Sequence, residues 1–130
     1  LLQDKVNSLK RDLLNKMEQI NGVNYISDII DIDSSGAMKD MAFQMKNEVD
    51  NLVLLLGANI SGKANLSLMI SENLVNEKGV NANEIIREAA KEIKGGGGGQ
   101  PFFATAGGKA PDKLSAALEK GRKLLMDKIG

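Results

Sequence analysis

Near the start of the chain the apolar positions Leu2, Val6, Leu9, Leu13, Met17 and Ile20 follow one another at spacings of four and three residues. This is the seam of an amphipathic helix over residues 1–21, coiled-coil-like and about three heptads long. Such a stripe is satisfied either by a second helix in a dimer or by docking on the chain's own domain. Asn21-Gly22 ends the helix, since glycine readily takes the left-handed cap conformation. The pattern thus predicts a helical, oligomerisation-type element over residues 1–22 and a globular part over residues 23–130.

Beyond Gly22 the period changes. VNYISDIID, residues 23–31, reads as a strand. Met38, Met41, Ala42, Met45 and Val49 recur at helical spacing over residues 35–50, and Leu52 to Leu56 is a continuous aliphatic run. Strand, helix and fully buried strand make a βαβ unit, with a right-handed crossover and parallel pairing. The methionines belong to its core. Ala64, Leu66, Leu68 and Ile70 then alternate with outward residues, which predicts a strand returning antiparallel through a turn at Ser61-Gly62-Lys63. Asn81, with Glu84 three residues on, caps a helix whose buried stripe is Ile86, Ala89, Ala90 and Ile93. After a glycine segment, Pro111 opens a last helix. Its core face is Leu114, Leu118, Gly121, Leu125 and Ile129, with Lys113, Lys120 and Lys123 on the other side. The class is α/β: an N-terminal helix, then a small mixed sheet in the order β-α-β-β-α-glycine loop or strand-α.

Composition narrows the chemistry. With 130 residues and 42% hydrophobic positions the chain can bury one substantial core. It has neither cysteine nor histidine, which excludes disulfide frameworks, thiol nucleophiles, histidine-based triads and the usual zinc sites. No apolar run approaches the roughly 20 residues of a membrane helix, and no secretory signal opens the chain, so the expectation is a soluble, cytoplasmic protein. Because Leu1 stands inside a helical pattern without an initiating methionine, the expectation is also that the chain is a piece of a longer protein. The net charge is zero, but residues 1–86 carry 8 Lys/Arg against 12 Asp/Glu, and residues 87–130 carry 9 against 5. Lys91, Lys94, Lys109, Lys113, Lys120, Arg122 and Lys123 surround or follow the glycine segment, a distribution that suits phosphates and equally an ordinary solvated surface.

Three motif matches fail in context. Gly57 to Lys63 has the spacing of a phosphate-binding loop, but Ala64 replaces its Ser/Thr and a strand follows instead of a helix. Asp31, Asp33, Ser35 and Gly36 begin like a calcium loop, yet Lys39 and Ala42 occupy its ninth and twelfth positions. Asp31 and Asp33 are read as turn and capping residues without a catalytic role. No metal site or catalytic residue is expected.

The remaining feature is Gly95-Gly96-Gly97-Gly98-Gly99 followed by QPFFATAGGK, residues 100–109. Glycine exposes its amides and reaches conformations closed to other residues, so one reading is a ligand that meets backbone directly. The bland reading is a flexible linker. Two of the chain's three phenylalanines, Phe102 and Phe103, follow at once and favour a structured, hairpin-like return. Its amides and small residues would then face a phosphate, a sugar or a base edge. One phenylalanine could stack on a base, while burial of at least one is the commoner use.

The run VNANEIIREAAKEIKGGGGGQPFFATAGGK, with an aliphatic hairpin before it and a Leu/Lys helix after it, resembles the C-terminal domain of alanyl-tRNA synthetases. DHH-type phosphoesterases share a looser version. Gly95 to Gly99, Pro101, Ala104, Gly107 and Gly108 fit the synthetase pattern, while Gln100 stands where arginine is common and Thr105 where glutamine is common. The resemblance implies an accessory, non-catalytic domain that binds the outer corner of alanine tRNA and helps one tRNA serve both aminoacylation and editing. It assigns the RNA surface to Lys91, Lys94, Gly95, Gly96, Gly97, Gly98, Gly99, Gln100, Thr105, Gly107, Gly108, Lys109, Lys113 and Lys120. It also implies homodimerisation through Leu2, Val6, Leu9, Leu13, Met17 and Ile20. ATP and the editing zinc are implied for other domains of the parent enzyme, and no cofactor for this segment. The alternatives are a purely structural dimerisation or packing module and the substrate-binding domain of a phosphoesterase; the latter is disfavoured because those relatives commonly carry histidine in the glycine segment.

Overall fold

The computed structural model describes residues 1–130. Two tight turns set the register of its sheet. Asn21 and Gly22 have φ of 49° and 81°, Ser61 and Gly62 of 53° and 83°. Positive φ at both central residues is the geometry of type I′ hairpins, whose twist matches that of the strands they join. The second turn connects β3 (Leu52–Ile60) to β4 (Lys63–Ile70), antiparallel as expected. The first corrects the sequence reading. Helix α1 runs only from Leu2 to Asn15, and Glu18–Ile20 forms β1, which pairs antiparallel with β2 (Val23–Ile29). Asn-Gly acts here as a hairpin turn and not as a helix cap, because Ile20 and Val23 meet directly across it.

Parallel β2 and β3 are linked by α2 (Ser35–Glu48), so the βαβ unit is present. Ser34 caps α2 by accepting the Ala37 N–H at 3.0 Å. After β4 come a short helix that the periodicity did not reveal, α3 (Glu72–Lys78), and α4 (Ala82–Ala89), capped by Asn81 as expected. The glycine run is not a loop. Gly95–Gly99 is β5, paired with β6 (Phe103–Gly108). A 3-10 turn at Pro111–Lys113 leads into α5 (Leu114–Ile129). The strand order is β1-β2-β3-β4-β6-β5, a six-stranded mixed sheet with β1 and β5 at its edges, and the α/β class with a mixed sheet holds.

Both faces of the sheet are covered over its central strands. Alternation sends Val53, Leu55, Leu66, Leu68 and Ile70 to one face, where they pack with α3, α4 and α5 in a core of 22 buried residues. Leu52, Leu54, Leu56 and Met69 point to the other face and join α1 and α2 in a core of 14. Burial on both sides is why Leu52 to Leu56 shows no alternation in the sequence. Gly121 lets α5 lie close on the first face, since a Cβ there would stand 2.8 Å from Leu55 Cδ2. The predicted seam is divided by this arrangement. Val6 and Leu13 are buried in the chain's own second core, Leu9 and Met17 pack at its margin, and Ile20 belongs to β1 and reaches the first core. Leu2 alone of the six is largely exposed, at 64%. Residues 1–22 are therefore built into the sheet and its core.

Candidate nucleic-acid interface

An all-glycine edge strand has a steric cause. A Cβ at Gly95 would run into the Gly107 carbonyl, one at Gly97 into the Thr105 carbonyl, and one at Gly99 into the Phe103 carbonyl. Alternate residues of β5 thus lie too close to the β6 backbone for any side chain. Gly108 is constrained likewise by the Ile93 carbonyl. The strand is tied in by Gly95 N–H to the Ala90 carbonyl (3.0 Å), and Asn83 Oδ1 accepts from Gly99 N–H (3.0 Å). At the turn, Gln100 N–H donates to the Phe103 carbonyl at 2.8 Å, leaving Gln100 exposed. Phe103 packs edge-on against Phe43 with centroids 5.1 Å apart, and Lys46 Nζ lies 5.0 Å from the Phe102 ring centroid. Phe103 anchors the hairpin on the second core, while Phe102 is half-buried beneath the Lys46 ammonium.

On the face carrying α1 and α2, the helices stop short of the last strands. What remains open is a cleft of about 520 Å³. Its floor is Asn65 and Ser67 of β4, Thr105 and Gly107 of β6 and Gly96 to Gly98 of β5; its wall is the first turn of α2, with Ser35, Gly36, Met38 and Lys39. A second cleft of about 420 Å³ continues it around the end of the sheet, lined by Lys63, Lys94 and Lys109 and sharing Asn65 and Gly107. The floor offers hydroxyl, amide and backbone groups, and the rim offers ammonium groups. Lys39, Lys63, Lys94 and Lys109 have no carboxylate within 4.0 Å, so their charge is uncompensated.

The predicted surface is only partly gathered here. Gly95 to Gly98, Thr105, Gly107, Gly108, Lys94 and Lys109 line one cleft or the other, while Gly99 and Gln100 close the hairpin beyond them. Lys91, Lys113 and Lys120 line neither. Lys91 is paired with Glu88 at 2.6 Å and Lys120 with Glu92 at 3.7 Å, so two of the predicted cations are already neutralised within the chain. Sequence reasoning missed Ser35, Gly36, Lys39, Lys63, Asn65 and Ser67. The polar residues of β4 were the available signal, because a strand flanked by apolar runs has no reason to face Asn65 and Ser67 toward a fully covered side.

Titratable groups with displaced pKa values lie elsewhere. Glu18 is held below the usual carboxylate range by its hydrogen bonds from Arg122 (2.7 and 3.0 Å), and Arg122 is raised by the same contact. A hydrogen bond from Lys91 lowers Glu88, the Asp28 carboxylate raises Lys16, and burial raises Tyr25. None of these five residues lines the two clefts, so their shifts belong to packing and ion pairing.

A family model, the DHHA1 domain, matches residues 22–127. The chain belongs to the DHHA1 domain family. It is 52% identical over 125 residues to the alanine–tRNA ligase of Christiangramia forsetii and 43% identical over 122 residues to that of Cytophaga hutchinsonii, covering 96% and 94% of this chain. The chain spans 14% of the length of each of those relatives. Among solved structures, the C-Ala domain from Aquifex aeolicus alanyl-tRNA synthetase superposes with a TM-score of 0.72 at 29% identity, covering 88% of this chain and 97% of that one. An exopolyphosphatase-related protein from Bacteroides fragilis shares the fold, with a TM-score of 0.51 at 17% identity over 93% of this chain and 36% of that one. The resemblance to the synthetase C-terminal domain, read from the glycine segment, is borne out.

Proposed function

We propose that this DHHA1 domain is the accessory tRNA-binding part of an alanine–tRNA ligase, contacting the corner of alanine tRNA and coupling aminoacylation with editing. The observation that carries the reading is the open sheet face beside the glycine strand, polar on its floor and rimmed by four lysines without acidic partners. A folded RNA corner presents phosphates, sugars and unstacked loop bases, which shape, backbone amides and ammonium groups can meet without a groove code. ATP and zinc stay with the rest of the parent enzyme in this reading, and its location is the cytoplasm, where tRNA is charged.

Homodimerisation has a narrower basis, because Val6 and Leu13 already serve the chain's own core and leave Leu2 and Leu14 as the exposed leucines within α1. Sedimentation across a wide concentration range tests it, and a monomer throughout removes it. The RNA reading is tested by fluorescence anisotropy with full-length alanine tRNA and with an acceptor minihelix lacking the corner, at two salt concentrations. Preference for the whole tRNA, weakened by salt, is expected. Equal or absent binding to both would leave a packing module.

A further inference from the structure

The turn between β1 and β2 carries a reactive pair of residues. Of the chain's twelve asparagines, only Asn21 is followed by glycine; each of the others precedes a residue with a side chain. Asn21 and Gly22 are both exposed. The Gly22 N–H donates to nothing, and a Cβ at Gly22 would meet nothing within 4 Å, so that nitrogen stands free and unhindered. The sheet's other type I′ turn is built differently. Ser61 takes the asparagine position there, and the Gly62 N–H is held by Asn59 Oδ1 at 3.0 Å.

An independent observation lies on the other side of the same peptide. Lys78, in the last turn of α3, donates from Nζ to the Asn21 carbonyl oxygen at 3.1 Å. That carbonyl is bonded to the Gly22 nitrogen. An ammonium on it draws electron density toward oxygen and favours the deprotonated amide, which makes the nitrogen a better nucleophile. The electrophile within reach is Asn21 Cγ, because attack there by the Gly22 nitrogen closes a five-membered ring within one molecule. The Asn21 side chain is itself engaged: Nδ2 donates to the carbonyl oxygens of Ile129 at 3.0 Å and Gly130 at 3.2 Å. These bonds tie the hairpin to the end of α5, and the reaction draws on the molecules in which they have opened.

We infer that Asn21 is a modification site, where the chain converts its own asparagine to aspartate and isoaspartate with Lys78 as the activating group. The Gly22 nitrogen loses its proton to a solvent base and bonds to Asn21 Cγ. The Cγ–Nδ2 bond then breaks, Nδ2 leaves as ammonia, and a succinimide remains. Water opens that ring by adding at Cγ, which gives aspartate, or at the Asn21 backbone carbonyl carbon, which gives isoaspartate with its main chain running through Cβ and Cγ. One water is consumed and one ammonia released, with no change of oxidation state. Either product replaces a donor amide by a carboxylate that cannot donate to the Ile129 and Gly130 carbonyls, and isoaspartate also lengthens the backbone of a two-residue turn. The tie between the hairpin and α5 is lost with the modification.

The test is incubation of the folded chain at neutral and at raised pH, followed by peptide mass spectrometry with chromatographic separation of the aspartate and isoaspartate forms. Asn21 should be modified ahead of every other asparagine, with isoaspartate among the products and a rate that rises with hydroxide. Modification of Asn21 no faster than of the other asparagines would overturn the site. In Lys78→Met the rate should fall about threefold, the kinetic counterpart of one exposed charged contact, while Lys78→Arg should keep most of the parent rate. In denaturant, where Lys78 no longer reaches the turn, all three chains should react alike. A folded Lys78→Met chain that reacts as fast as the parent, or faster, would overturn the activation by Lys78. Asn21→Asp, which carries the product's carboxylate, should melt at a lower temperature than the parent, and an unchanged melting temperature would overturn the loss of the tie.

Discussion

At the scale of single residues, neighbouring glycines of one strand have opposite sensitivities. Gly97→Ala sets a methyl into the Thr105 carbonyl and should break the β5–β6 pairing, visible as missing cross-strand nuclear Overhauser effects and a lower melting temperature. Gly96→Ala, one residue away, meets open space and should be neutral or stabilise by a few tenths of a kcal/mol through the unfolded chain. Similar destabilisation in both variants would show that the run is glycine for flexibility and not for close approach to β6. Gly121→Ala should cost about 1–3 kcal/mol in chemical denaturation, because its methyl would meet the Leu55 side chain at the α5–β3 crossing. At this scale the sequence spoke in part: five glycines announced a backbone-dominated segment, but no single-residue pattern separates a glycine that must pair closely from one that leaves space open.

At the scale of elements, the β1–β2 hairpin joins the N-terminal segment to the sheet, and Arg122 of α5 fastens it through both Glu18 oxygens. Glu18 has its native pKa below the ordinary value of 4.5, so the pair contributes stability above the unfolded pKa and loses it as the pH falls through the lower, folded value. The pair is half exposed and its contribution is modest, about 1 kcal/mol or less. Thermal melts from pH 7 down to pH 3 should lose less stability on acidification in Glu18→Gln than in the parent chain, and identical slopes would dismiss the pair as a stabiliser. Most elements were legible, since alternation gave β4, helical spacing gave α2 and α5, and an apolar run gave β3. The misses have physical causes. Asn21-Gly22 serves equally as a helix stop or a type I′ turn, and three residues of β1 are too few to show a period. β5 has no side chains to alternate, while α3, at seven residues, is held by packing around Leu74 more than by pattern.

Taken whole, the molecule is one sheet with a core on each face, and α1 is part of it. Leu13 is 1% exposed, so Leu13→Ala should destabilise the monomer by about 2–5 kcal/mol in chemical denaturation, independent of protein concentration. A helix reserved for dimerisation would instead give a change that follows concentration. For RNA, the combined replacement of Lys63, Lys94 and Lys109 by Ala should weaken tRNA binding and lower the salt slope by about one for each phosphate no longer neutralised, while Lys91→Ala, already paired, should change little. An unchanged slope in the triple variant would move the interface off the glycine edge. The glycine segment and its lysines pointed from the sequence to one side of the candidate cleft. The wall contributed by α2 was not, because residues 35–39 and 96–107 become neighbours only once the sheet has assembled in its order.

That assembly order has a dynamic corollary in β5. A strand of five glycines at the rim of a sheet has more freedom to regain on opening than any other strand of its length, and only one neighbour to hold it. Its amide protons should exchange with deuterium far faster than those of Leu54 to Leu56 in the middle of the sheet. The strand that edges the proposed binding surface is thus also the first to fray, and an occupant of the cleft would register as slowed exchange along one edge of an otherwise unchanged protein.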